Sequence, residues 1–227
     1  MNKLEQYHWG SNSTVRCGGY ALLLLAFIDF VNIFIPLHFT NPVWEFQTIG
    51  LLVDHAPVPL IGLIFVFVGG NNYREKIEIY LLKFLSWAAL VVGILFILLL
   101  PLGINNTLRI NQQNQIQVLK QSSQKLAEIQ QIKEMLNQVK TEQDLEKIFH
   151  FLNHQDKPDF TNIQDVKGQL LTQILQMQKN INNQYKVAEN QTRQELLRNA
   201  VKWNLGALIC GVAFILVWST TIWARLN

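Results

Sequence analysis

Apolar residues gather into four blocks, and a long polar stretch separates the third block from the fourth. A membrane-spanning helix needs roughly 20 mainly apolar residues. Residues 19–39 supply the first block, interrupted by Asp29 and Asn32. It is too long for a secretory signal and has no small-residue cleavage site, so it reads as an uncleaved first span. Residues 49–70 form the second block and carry Asp54, His55, Pro57 and Pro59 in their first half. Residues 83–103 and 203–223 form the third and fourth, the last with tryptophan at both ends, where an interfacial belt places it. Four transmembrane helices are predicted.

The segment 41–58 mixes Trp44, Phe46, Ile49, Leu51 and Leu52 with Glu45 and Gln47. Two readings fit it: a short interfacial helix before the prolines redirect the chain, or the tilted first half of the second span. If both halves stay shallow, the segment is re-entrant and everything downstream changes side.

The polar stretch 105–202 has a single glycine, Gly168, and a single proline, Pro158. Its apolar residues keep helical spacing. Ile116 and Leu119 are followed by Leu126, Ile129, Ile132, Leu136 and Val139, with one shift of phase after Leu126. A second run passes through Ile163, Val166, Leu170, Ile174, Met177, Ile181, Tyr185 and Ala188. Between the runs, Thr141 reads as a helix cap before a short amphipathic helix carrying Leu145, Ile148, Phe149 and Leu152. The turn is 154–159, and Thr161 with Gln164 resembles a capping box for the return helix. Residues 107–152 and 161–202 would reach about 69 and 63 Å as helices, at roughly 1.5 Å per residue. Matching arms predict an antiparallel, coiled-coil-like helical hairpin between spans three and four. Its seam is thin, so a second hairpin or another protein is the expected covering surface.

Composition sharpens this picture. The chain has 227 residues, 49% hydrophobic and 15% charged. All six Trp and all but one Gly lie outside 104–202. The net charge of +3 is too mild to predict nucleic-acid binding. Cys17 and Cys210 are far apart in apolar surroundings, which excludes a disulfide scaffold or zinc finger. Lys3, Arg16, Arg74, Lys76, Lys83 and Arg225 flank the spans, whereas the loop between spans one and two has no Lys or Arg. The positive-inside rule then puts both termini in the cytoplasm and the hairpin on the opposite side.

Candidate chemistry is sparse. Asp29 lies inside span one with Asn32 on the same face, at a cost of at least about 2.5 kcal/mol for a charge at the bilayer centre. No span offers it a Lys or Arg, so interhelical packing is preferred to ion conduction. Asp54 and His55 form the next group, an acid/base pair or a polar interfacial turn. His150 and His154 share a helix face without the Glu of a zinc-protease motif, so a solvated tip is preferred and no metal or cofactor is expected. No phosphate-cradling, dinucleotide or nucleophile-elbow motif is present. The triplets at Asn12, Asn105 and Asn190 match the glycosylation pattern, which Asn-rich sequence generates by chance. Cys17 beside the first span could be acylated, although a small membrane-edge residue is the commoner case.

The strings FVNIFIPLHFTNPVWEFQTIGLLVDHAPVPLIGLIFVFVG and LSWAALVVGILFILLLPLGINNTLRINQQ resemble the HpsJ-like membrane proteins of cyanobacteria. The resemblance is close over about 20–115 and one of type beyond. It implies a plasma or thylakoid membrane protein, accessory to polysaccharide export, and carries no catalytic residue.

The expected molecule is therefore an all-α, polytopic membrane protein. Its parts are a cytoplasmic tail (1–18), a three-span region (19–104), an extramembrane hairpin (105–202) and a closing span with a short tail (203–227). The expected function is non-enzymatic scaffolding of a membrane complex. Trp44, Glu45, Phe46 and Asp54 would form a lateral docking element. Leu126, Ile129, Ile132, Leu136, Leu170, Ile174 and Ile181 would form the hairpin's interaction seam. The expected partners are the lipid bilayer and, through the hairpin, a second copy or another protein. The rival from another class is a transporter or channel component using Asp29, Asp54 and His55; a membrane enzyme using Asp54 and His55 ranks third.

Overall fold

A computed structural model describes residues 3–69, 74, 76–139 and 163–226. Every regular element among them is a helix: α1 (Lys3–Ile33), α2 (Pro42–His55), α3 (Pro57–Phe67), α4 (Lys76–Gln138), α5 (Ile163–Thr220) and α6 (Ile222–Leu226). Four stretches are long and apolar enough to cross a membrane: Ser13–Ile33, Pro42–Phe67, and parts of Lys76–Gln138 and Gln164–Thr220. The chain divides into two compact units. One comprises Met1–Ile110 with Leu196–Asn227, the other Asn111–Glu195.

The first span ends earlier than the apolar run suggests, at Ile33. Phe34 and Ile35 donate backbone N–H bonds to Val31 and Asn32 in a turn, and Pro36 cannot donate the bond that would continue the helix. Asn41 then opens α2, its Oδ1 accepting from the N–H of Val43 at 2.9 Å and of Trp44 at 3.5 Å. Pro42 occupies the first turn, where its missing N–H costs nothing.

The prolines do not turn the chain back. Ala56, the single residue between α2 and α3, keeps right-handed helical geometry at φ −57° and ψ −30°. Its N–H bonds to Val53, and its carbonyl accepts from Leu60. The segment 41–58 is thus a helix followed closely by a second one, and together they form one apolar stretch of 26 residues. Six of its residues between Pro42 and Val53 are buried, including Phe46, Ile49 and Gly50. After α3, Gly69 adopts a positive φ of 86°, the left-handed geometry that ends many helices and that glycine adopts without strain.

Helix α4 runs through Pro101 without ending. One helical hydrogen bond is lost there; Thr107, one turn beyond the span, adds an Oγ1 bond to Gly103 O at 2.8 Å. Two close helix approaches hold the first unit together, both made by glycine. A Cβ on Gly19 of α1 would meet Gly62 O and Val66 N at 2.8 Å. A Cβ on Gly93 of α4 would come 3.0 Å from Gly211 O of α5, and one on Gly211 would come 3.1 Å from Gly93 O. Small residues at crossings are how helices pack tightly where lipid removes the hydrophobic drive to associate. Around these points Ile49, Val53, Leu63, Ala89, Phe96, Ala207 and Phe214 form the main core.

In the second unit, Ile129, Ile132, Leu136 and Val139 of the outgoing arm pack with Val166, Leu170 and Ile174 of the return helix. Leu171 and Ile181 pack against them. Lys167 Nζ donates to Asn137 O at 3.1 Å. Residues before 137 thus meet residues after 167, which makes the pair antiparallel. The cap at Thr141, the short helix through Leu152, the turn at 154–159, Thr161, and His150 with His154 lie outside the described residues.

Candidate functional site

The candidate residues fall into three places. Asp29 and Asn32 lie on α1, Asp29 half-buried and Asn32 exposed. Among the described residues Asp29 makes no hydrogen bond or ion pair, so the expected interhelical bond is not found among them.

The expected docking element is turned partly inward. Phe46 is buried, its ring 4.7 Å from that of Trp203 and edge-on to it. The Trp203 ring also lies over Gly50, where any side chain would collide with it. Trp44 is half-buried and packs edge-on against Phe39 at 5.5 Å. Glu45 sits in the first turn of α2, favourable for an acidic residue at a helix start. Phe46 therefore anchors α2 on α5 and is not available to a partner.

Asp54 and His55 do not act on each other. Lys202 Nζ pairs with Asp54 Oδ1 at 3.0 Å, and His55 Nδ1 lies 2.9 Å from Leu51 O. A carbonyl oxygen only accepts, so Nδ1 of His55 carries the proton in the neutral ring and Nε2 presents a lone pair.

His55 also borders an apolar cleft of about 330 Å³ in the first unit. Leu23, Ala26, Phe30 and Ile33 of α1 face Leu85, Ala88, Val92 and Phe96 of α4 across it. Ala56, Pro59 and Leu63 line it as well. His55 is its one lining residue with a polar side chain.

At the end of this unit that carries the basic residues, Arg74 is the organising group. Its side chain is 0% exposed. It donates to Glu78 Oε1 at 2.9 Å, to Val66 O at 2.9 Å and to Val68 O at 3.1 Å, and stacks over Trp223. Carbonyls at the C-terminus of α3 thereby gain a charged donor, and Arg16 Nε adds a bond to Val68 O at 3.2 Å. Burial lowers the Arg74 pKa below its ordinary value, Arg16 adds to that, and Glu78 opposes it. Nearby, Arg225 lies over Trp218 at 4.2 Å and Trp87 at 5.8 Å.

In the second unit, Ile129, Ile132, Leu136, Leu170 and Ile174 are buried, while Leu126 and Ile181 are half-buried. Ile116 and Leu119, at 66% and 68% exposure, do not join this core. Val187 and Met177 on the return helix are also exposed. Among the described residues no cluster of three or more His, Cys, Asp or Glu could hold a metal ion.

Sequence reasoning missed four features: the cleft, the Arg74 network, the glycine crossings and a buried bond between Ser86 and Thr221 at 2.7 Å. The glycines were visible as residues in apolar blocks, but their pairing requires the fold.

These features define an all-helical protein with four apolar helices of spanning length and a paired helical arm. The chain belongs to the HpsJ-like protein family, which it matches over residues 10–222. The match takes in the arm and the last apolar helix as well as the first three. No curated protein matches the chain. No solved structure matches it.

Proposed function

We propose that the protein is a non-enzymatic scaffold or accessory subunit of a membrane complex, and that its helical arm receives the partner. The observation that carries this reading is the uneven zipper of the second unit. The seven buried residues of its core lie within 129–139 and 166–174, whereas Ile116, Leu119 and Val187 remain exposed on helices outside the apolar blocks. Exposed apolar side chains at helical spacing on a marginal pair call for a covering surface, either a second copy or another protein. A role accessory to polysaccharide export, which the family resemblance implies, is compatible with such a scaffold. Against an ion path, Asp54 is paired with Lys202, His55 bonds its own helix, and Asp29 has no polar partner among the described residues.

The test is co-purification from native membranes with wild type and with the double variant Ile116→Lys, Leu119→Lys. The proposal requires a stoichiometric partner or self-association that the variant loses while its helicity and membrane insertion stay unchanged. Identical assemblies from both proteins would refute it.

A further inference from the structure

Two cations at the basic end of the first unit stand without a counter-charge. Lys83 opens the third apolar block and Arg225 follows the fourth, so both lie where an apolar helix leaves hydrocarbon and meets head groups. Among the described residues neither makes a hydrogen bond or an ion pair. Glu78 does not serve them, because Arg74 donates to it at 2.9 Å and the Tyr20 hydroxyl at 3.4 Å. The group around Arg225 is nevertheless built. Helices α4 and α5 run antiparallel, with Gly93 beside Gly211 and Ser86 beside Thr221. The Ser86 and Thr221 hydroxyls are buried and 2.7 Å apart. Trp87 follows Ser86 directly, and Trp218 and Arg225 flank Thr221. That one bond therefore pins both indoles and the guanidinium. The two rings lie 6.2 Å apart, and Arg225 lies 4.2 Å from the Trp218 ring and 5.8 Å from that of Trp87. Lys83 is half-buried, one turn before Trp87 on the same face of α4.

Every polar group offered here is a donor. The Arg225 guanidinium, the Lys83 ammonium and the indole N–H groups have nothing to give a cation, whereas an oxyanion accepts from all of them. Nη1 of Arg225 is covered by the protein and has no partner; Nε and Nη2 reach the surface. Trp87 is exposed beside them and offers its ring to the apolar part of a lipid. At head-group depth the bilayer itself supplies the oxyanion, as a phosphodiester whose two free oxygens match the guanidinium fork. A head group carrying its own ammonium would bring that charge against Lys83, so a lipid with net negative charge is selected. We propose that Arg225, held over Trp218 and Trp87 with Lys83 one turn away, binds the phosphodiester of one anionic phospholipid. The site is independent of whatever the arm recruits.

The experiment is native mass spectrometry of the full chain in detergent micelles, titrated with phosphatidylglycerol and with phosphatidylcholine of identical acyl chains, so that only the head group differs. One phosphatidylglycerol should stay bound, preferred about 25-fold, or about fivefold for each cation. Arg225→Gln and, separately, Lys83→Gln should each lower the preference about fivefold. Lys76→Gln removes an exposed cation at the same end but outside the site, and should leave the preference unchanged. Equal retention of the two lipids by the wild type overturns the site, whatever the variants do. An equal loss from Lys76→Gln and Arg225→Gln also overturns it, because the attraction would then be diffuse. Displacement of the lipid by inorganic phosphate at the same concentration would assign the position to a free anion and overturn the lipid.

Discussion

Gly93 and Gly211 face each other so closely that a methyl group on either would come within about 3 Å of the other's carbonyl oxygen. The Cγ1 atoms of Ile215 and Ile97 lie closer still, at 2.8 and 3.0 Å, and can shift, but the two carbonyl oxygens are helix backbone and yield only if the helices move apart. Gly93→Leu or Gly211→Leu should cost about 1–3 kcal/mol, the usual range for overpacking. Thermal unfolding of detergent-solubilised protein should show the loss. Gly168→Leu, where no atom lies near the added carbon, serves as the control and should leave the melting temperature unchanged or raised.

Two cations near the ends of the apolar helices make opposite demands. Arg74 is fully covered and donates to one carboxylate and two carbonyls. Lys202 is 62% exposed and pairs with Asp54 alone. Arg74→Lys retains the charge but loses the planar fork, so it should cost about 1.5–3 kcal/mol, typical of hydrogen bonds to charged groups. Lys202→Ala should cost less than about 1 kcal/mol, and less still at high salt. Unfolding in low and high salt measures both; an equal loss for the two variants would contradict this ranking.

In the second unit, stability and the proposed recruitment rest on different residues. Leu136 is 0% exposed, so Leu136→Ala should cost about 2–5 kcal/mol and reduce helicity by circular dichroism. Leu119→Ala, at an exposed site, should change stability by no more than about 0.5 kcal/mol and yet weaken partner recovery.

Four helices of spanning length and the distribution of basic residues make a definite prediction about sidedness. Single cysteines at Phe39, Lys76, Ser123 and Leu226, in a background without Cys17 and Cys210, should react with an impermeant maleimide in two groups. Phe39 and Ser123 should lie on one side of the membrane, and Lys76 and Leu226 on the other. Lys76 and Ser123 on the same side would exclude the four-span reading.

Much of this architecture was legible in the sequence because lipid imposes simple rules. Apolar blocks long enough to cross a bilayer, and the three-and-four spacing from Leu126 to Val139, need no tertiary knowledge. The prolines at 57 and 59 left two readings open for 41–58, because a missing N–H fits a redirected chain as well as a helix start; Ala56 stays helical and α3 starts at once, as the spanning reading has it. Phe46 read as an exposed anchor because nothing in its neighbourhood reveals Trp203, which lies more than 150 residues away. Asp54 and His55 read as an acid/base pair or a polar turn because adjacency alone does not choose, and their bonds go to Lys202 and Leu51. Partners distant in the chain decide the chemistry of a site, and periodicity is silent about them.

The claim that the arm receives a partner is tested most directly by a photo-crosslinking amino acid placed at Leu119 and, separately, at Leu136, in native membranes. The account predicts that position 119 captures another polypeptide, a second copy or a different protein, as a discrete product. Position 136, enclosed by the chain's own return helix, should give only internal links. Capture of lipid alone from position 119, or equal intermolecular capture from both positions, would contradict it.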